Sequence, residues 1–223
     1  NLYGPNHNFD LETSHVLPAL IRKIHLGKAL ESVKWDVLSA TGEDENWEVI
    51  KKDLNRLPIE GIDGNSSKEE ILAKLESYGI KPRNTSHVTR STTQIEIWGS
   101  GNPRREFLYS TDMADACVFL MENRDFSDIT QSPITNHQSL SNEIRNTHIN
   151  IGTGIDISIK ELAYMIKDLI CFNGELYFNA DKPDGTMKKL TDVSKLHGLG
   201  WKHEVELKSG IKKIYQWYKD TNN

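Results

Sequence analysis

Gln94 to Asn123 packs a strand, a turn, a second strand and a helix into one unbroken run, "QIEIWGSGNPRREFLYSTDMADACVFLMEN". Gln94 to Trp98 alternates with period two, "WGSGNP" turns the chain, and "REFLYS" resumes the alternation. Thr111 or Asp112 can then cap a helix on which Met113, Ala116, Cys117, Leu120 and Met121 share one face. A chain that changes hydrophobic period this often, with no internal repeat, belongs to the α/β or α+β class rather than to a bundle or a sandwich.

The flanking segments fit the same class. Residues 14 to 30 predict an amphipathic helix capped by Ser14, with Pro18 in its first turn, an apolar stripe of Val16, Leu17, Leu20, Ile21 and Ile24, and Gly27 weakening its end. From about Trp35 to Arg90 the chain turns highly charged and carries two short helical patterns. One runs through Trp47, Ile50 and Leu54. The other, through Ile71, Leu72, Leu75 and Tyr78, is framed by a Ser67 to Glu70 capping box and stopped by Gly79 and Pro82. Ser127 to Asn146 lacks periodicity and reads as a loop. "THINIGTG" predicts a strand ending in a glycine turn, Ser158 to Glu161 a second capping box, and the following residues a helix through Ile170. A strand at Glu175 to Phe178, a turn at "KPDGT" and a helix near Ser209 to Asp220 close the chain.

Composition removes several functions. The chain has 223 residues, 37% of them hydrophobic, enough to bury a core. Its net charge of −5 argues against a general nucleic-acid binder. No apolar run approaches a membrane span, and the start is not a signal segment. Two cysteines, Cys117 and Cys171, both in apolar stretches that read as helix, support neither a disulfide framework nor a metal site and point to a reducing, cytoplasmic setting. His137, His148, His197 and His203 have no ligand spacing, and His7 and His15 lie eight apart, so no metal is expected. The opening at Asn1, without an initiating methionine, suggests a fragment.

Four stretches carry a specific resemblance: "NLYGPNHNFDLETSHVLPALIRK", "IWGSGNPRREFLY", "INIGTG" and "KPDGTMKKLTDVSKLHGLGW". In this order they resemble the C-terminal part of the GDP-L-fucose synthase family, which are extended short-chain dehydrogenases/reductases. The resemblance implies a division into residues 1–34, the end of a cofactor-domain strand and the first substrate-domain helix; residues 35–90, a helical insertion; and residues 91–223, the substrate-binding domain with returning strands of the Rossmann sheet. It implies a GDP-sugar as substrate, NADP(H) as cofactor, and a homodimer when the protein is full-length. The glycine-rich dinucleotide turn and the cysteine that partners the family's histidine do not occur here, and no tyrosine is followed four residues on by a lysine in a setting comparable to the family's YxxxK signature; all three are expected upstream, so the chain alone is expected to be inactive.

Residue by residue, the resemblance makes His15 of "SHV" an acid/base for epimerisation, a group that also touches the cofactor. Taken alone, a histidine at a helix start is more often only a polar first-turn residue; a pKa near that of imidazole nevertheless suits proton exchange beside a ketone. Asn1 and Leu2 would touch the cofactor, although tight-turn residues are commonly structural. Lys23, Trp98, Arg105 and Asp184 would hold the substrate. Without the resemblance Lys23 reads as a solvated helix residue, Trp98 as core, and Asp184 as part of a Pro-Asp-Gly turn. Alternation places Arg104 and Arg105 on opposite faces, and the family pattern selects Arg105, whose planar fork suits a diphosphate. Two other readings remain: a different extended short-chain nucleotide-sugar epimerase or dehydratase, and a non-catalytic GDP-binding or interaction module with residues 35–90 as its contact surface.

Overall fold

The computed structural model describes residues 1–83, 92–130 and 146–221. Most of the predicted Ser127 to Asn146 loop, and His137 with it, lies outside the described residues. The class is mixed α/β: the described residues form three small sheets, one of which packs against a long helix.

That helix, α1 (Val16–Ser32), is buried on nearly every side: Leu17, Leu20, Ile21, Ile24, Leu26 and Leu30 are all core residues. Its coat consists of β2 (Ile80–Arg83), β3 (Thr92–Trp98), α3 (Glu45–Arg56) and α7 (Ile159–Ile170). Gly27 does not weaken the end of α1. A Cβ there would stand 2.6 Å from Ile95 Cδ1, so the glycine lets β3 approach, and the helix continues to Ser32. Ser14 is not the cap either. His15 holds that position with no side-chain cap bond, and Ser14 Oγ is buried without a hydrogen-bond partner among the described residues.

Residues 35–83 form α2 (Trp35–Thr41), α3, α4 (Lys68–Ser77) and β2. Asp44 caps α3 by accepting from Asn46 and Trp47 N–H, and Ser67 with Glu70 forms the capping box of α4. Gly79 ends α4, with φ 77°, and Pro82 lies beyond it within β2, an outer strand among the described residues. Proline is tolerated at such an edge. Trp47, Ile50, Leu54, Ile59, Ile71, Leu75 and Ile80 share one hydrophobic core with α1, α7 and α9 (Leu207–Asp220). A buried ion pair stitches them in: Arg22 Nε donates to Asp53 Oδ1 at 2.9 Å, both side chains wholly buried, and Tyr218 of α9 donates to Asp53 Oδ2.

The sheets set the rest. β3 pairs antiparallel with β2 and parallel with β7 (Glu175–Asn179), with Trp98 opposite Asn179. β4 (Arg104–Glu106) lies between β6 (Asp156–Ser158) and β8 (Lys188–Lys189). β1 (Leu2–Tyr3) runs parallel to β5 (Leu108–Tyr109). β5 leads into α5 (Ser110–Asn123), whose N-cap position is held by Tyr109, with no side-chain cap bond, rather than by Thr111 or Asp112; Asp112 is buried and accepts instead from Val205 N–H. Only Ala116 of the expected apolar face of α5 is fully buried, and Met121 is 77% exposed. α6 (Phe126–Thr130) is short, and α8 (Ser194–Gly198) packs Leu196 with Trp201 against α5.

"THINIGTG" is the clearest departure. It forms no strand among the described residues, because the buried Glu106 carboxylate takes the place of a neighbouring strand: Oε1 accepts from Thr153 and Gly154 N–H, each at 2.6 Å. Cys117 and Cys171 are free and exposed, and Cys171 follows α7 in the left-handed conformation.

Candidate functional site

A cleft of about 800 Å³ opens beside the N-terminal half of α1 and the end of β3. Lys23, Trp98, Arg105 and Asp184 all line it, drawn together from α1, β3, β4 and the turn after β7. The register of β3 against β7 explains part of this convergence. Pairing Trp98 with Asn179 puts "WGSG" and "KPDG" side by side at one sheet end.

Each side chain is held for a physical reason. Asp184 is fixed by Ser100, whose N–H donates to Oδ1 at 2.8 Å and whose hydroxyl donates to Oδ2 at 2.6 Å. Trp98 is 69% exposed, with Lys182 Nζ 5.1 Å from its ring centroid, so one indole face is an open shelf. Arg105 commits only Nη1, to the carbonyls of Arg104 and Thr186 at 2.8 and 2.6 Å, leaving Nε and Nη2 without a partner among the described residues. Arg104 points the other way, into Asp156 and Glu161. Lys23 is not a solvated lysine. Its Nζ donates to Glu96 O at 2.7 Å, and burial pushes its pKa down to about 8 against a weaker upward pull from Glu96. Asn179 and then Lys81 hold the Glu96 carboxylate below its usual range.

The opposite wall was not legible as a site. Glu12 from the loop before α1, Glu60 and the α4 end residues Lys74, Ser77 and Tyr78 line the same cleft. Tyr78 OH stands 3.1 Å from Glu12 Oε1 and 3.0 Å from Glu60 Oε1, its single proton shared between the two carboxylates, while Lys74 pairs with Glu60 Oε2. The only sequence signal was that residues 35–90 fall between α1 and β3, the two elements that frame the cleft.

His15, Asn1 and Leu2 do not line this cleft. His15 is exposed at the start of α1, its ring centroid 6.0 Å from that of His7, edge to face. The His7 ring is bonded between Leu2 O, at Nε2, and Asn8 N–H, at Nδ1, which joins the two histidines to β1. Leu2 is 47% exposed, and Asn1 donates through Nδ2 to Glu106 O at 2.9 Å. A half-exposed leucine and an exposed imidazole fit a flat ring with a polar edge, as nicotinamide is; the Asn1 amide retains its oxygen for such a contact. Among the described residues no group of three His, Cys, Asp or Glu side chains could hold a metal ion, and no helix is long and apolar enough to cross a membrane.

Residues 73–151 match the NAD dependent epimerase/dehydratase family. GDP-L-fucose synthase 1 of Arabidopsis thaliana is 33% identical over 218 residues, which is 98% of this chain. The chain is homologous to the GDP-L-fucose synthases. It spans less than half of that relative's length, 43%. Among solved structures, a GDP-6-OMe-4-keto-L-xylo-heptose reductase from C. jejuni is 43% identical with a TM-score of 0.73, over 99% of this chain and 52% of that one. MlghC, a GDP-mannoheptose C4 reductase from Campylobacter jejuni solved with NADP bound, is 42% identical with a TM-score of 0.69, over 98% and 51%.

Proposed function

We propose that this chain is the substrate-binding portion of a GDP-L-fucose synthase, an NADP-dependent bifunctional enzyme that converts GDP-4-keto-6-deoxy-D-mannose to GDP-L-fucose. The observation that carries this reading is the convergence of Lys23, Trp98, Arg105 and Asp184 on one cleft. Arg105 offers Nε and Nη2 to the diphosphate, Asp184 accepts from ribose hydroxyls, and Trp98 supplies a stacking face. Lys23 supplies a poorly solvated cation that an anionic ligand stabilises.

NADPH supplies the hydride for reduction at C4, with Leu2, Asn1 and His15 as this chain's contacts to it. His15 exchanges protons at C3 and C5, positions made acidic by the C4 ketone, and its exposure leaves the imidazole accessible to a sugar. The nucleotide provides the binding energy that orients the sugar. The reading places the protein in the cytoplasm as a homodimer joined through its dinucleotide-binding part.

Titration calorimetry of the chain with GDP tests the site. Binding is expected, and Arg105→Ala should weaken it about tenfold or more, the worth of a lost charge-assisted hydrogen bond. A chain that takes up no GDP would refute the proposal. In the full-length enzyme, His15→Gln should slow deuterium uptake at C3 and C5 from heavy water.

A second reading keeps the GDP-sugar and the reduction at C4 but makes the sugar a heptose. The 42% and 43% identities to the two heptose reductases, against 33% to the plant fucose synthase, favour it. Turnover of a GDP-4-keto-heptose in preference to GDP-4-keto-6-deoxymannose would decide for it.

A further inference from the structure

We propose that Glu60 reads the base of the nucleotide, accepting the N1–H and 2-amino groups of guanine, so that residues 35–83 give the cleft its choice of purine. The inference rests on the GDP-sugar function proposed above. Diphosphate, ribose and an aromatic face are common to every purine nucleotide, so Arg105, Asp184 and Trp98 cannot tell one from another.

Guanine differs along one edge, where the acceptor O6 stands beside two donors, N1–H and the 2-amino group. A carboxylate complements the two donors of that edge. Glu60 stands on the facing wall with each oxygen accepting one bond, from Tyr78 and from Lys74. Glu60 also meets the Glu12 carboxyl, and because a carboxylate oxygen accepts two bonds the pair keeps acceptor capacity beyond these contacts. Glu12 shares the Tyr78 hydroxyl, so two carboxylates meet one ammonium and the wall keeps a net negative charge toward a donor edge.

The backbone at Glu60 is the second observation. Ile59 and Ile62 bridge across a two-residue turn in which Glu60 and Gly61 both have positive φ, 45° and 81°. Such a turn favours asparagine, aspartate or glycine at its first central position. Glutamate is a costly occupant there, and what it adds is a carboxylate long enough to reach Tyr78 and Lys74 at the cleft wall.

Calorimetry with GDP and inosine diphosphate, which lacks only the 2-amino group, tests the proposal on the 223-residue chain. The chain should bind GDP about tenfold more tightly or better, the worth of a hydrogen bond to a charged group. Glu60→Asn suits the turn and shortens the side chain, so it should preserve the melting temperature while bringing the two affinities together. Lys74→Met should narrow the gap by releasing the carboxylate. Equal affinities in the unaltered chain, or a preference that survives Glu60→Asn, would overturn the role of Glu60 while GDP binding upheld the function. Failure to bind either nucleotide would remove both.

Discussion

Arg104 and Arg105 are adjacent in sequence and opposed in space: Arg104 Nε meets Asp156 Oδ1 at 2.7 Å, while Arg105 Nη1 meets Thr186 O at 2.6 Å on the cleft side. The alternation of β4 alone produces this separation. Replacing each with alanine should therefore give opposite phenotypes. Arg105→Ala should lose nucleotide affinity and keep its melting temperature, whereas Arg104→Ala should lower the melting temperature slightly and keep affinity. Differential scanning fluorimetry with and without GDP reads both effects, and matching phenotypes would contradict the assignment.

Trp98 is a large apolar side chain left in water, so its removal should cost almost nothing in stability. Trp98→Ala should weaken GDP binding by about tenfold, from lost stacking and buried area. Quenching of tryptophan fluorescence on titration with GDP should diminish in the same variant. An unchanged quench would place the ligand elsewhere.

Lys23 links binding to pH. Its folded pKa of about 8 lies below the ordinary lysine value of 10.5, so between these two the unfolded chain holds more protons than the folded one. Stability from this group accordingly rises with pH across that window. Binding of an anion should run the other way and weaken as pH passes 8, because the cation it needs is lost. Lys23→Met should abolish the pH dependence of both in denaturant titrations and calorimetry between pH 7 and pH 10, and persistence of either slope would exclude Lys23 as its source.

His25 gives an acid counterpart. It packs against Tyr215, with Nδ1 3.1 Å from the hydroxyl, and burial pushes its pKa down to about 4. The unfolded chain takes up a proton near pH 6.5 that the folded chain refuses until about 4, so stability should fall as pH drops through that interval. His25→Phe should flatten the slope of melting temperature against pH there. A slope unchanged by the substitution would assign it to carboxylates.

The wall carrying Glu60 depends on the buried Arg22 to Asp53 pair. Asp53→Ala would strand a wholly buried guanidinium and should destabilise the chain by about 3–5 kcal/mol. The joint variant Arg22→Met, Asp53→Leu should recover much of that loss. If the single and double variants unfold alike, the pair is not what anchors α3 to α1.

Elements written in local signals are legible in the amino-acid order alone. The capping boxes at Ser67 and Ser158, the period-two run ending at Trp98 and the helix through Ile170 all come from neighbours within one turn or one strand. Elements fixed by distant partners are not. β2 exists because β3 lies beside it, and "THINIGTG" is held by the Glu106 carboxylate rather than by a ladder. The same distinction runs through the site. Trp98, Arg105 and Asp184 sit in turn and strand motifs that a family resemblance can mark. Glu60, Tyr78 and Glu12 meet only after α4 folds back on the loop before α1, a contact that no spacing in the sequence encodes.

The two hydrogen bonds from Ser100 to Asp184 govern how the cleft accepts a guest. Gly99, with φ 85°, stands so close that a Cβ there would lie 2.3 Å from Asp184 Oδ1, which leaves the two turns no slack. The aromatic shelf and the carboxylate are therefore clamped as one rigid jaw before anything arrives. A nucleotide entering this side meets a surface whose ordering entropy was lost during folding, so less of its contact energy is spent on shaping the protein.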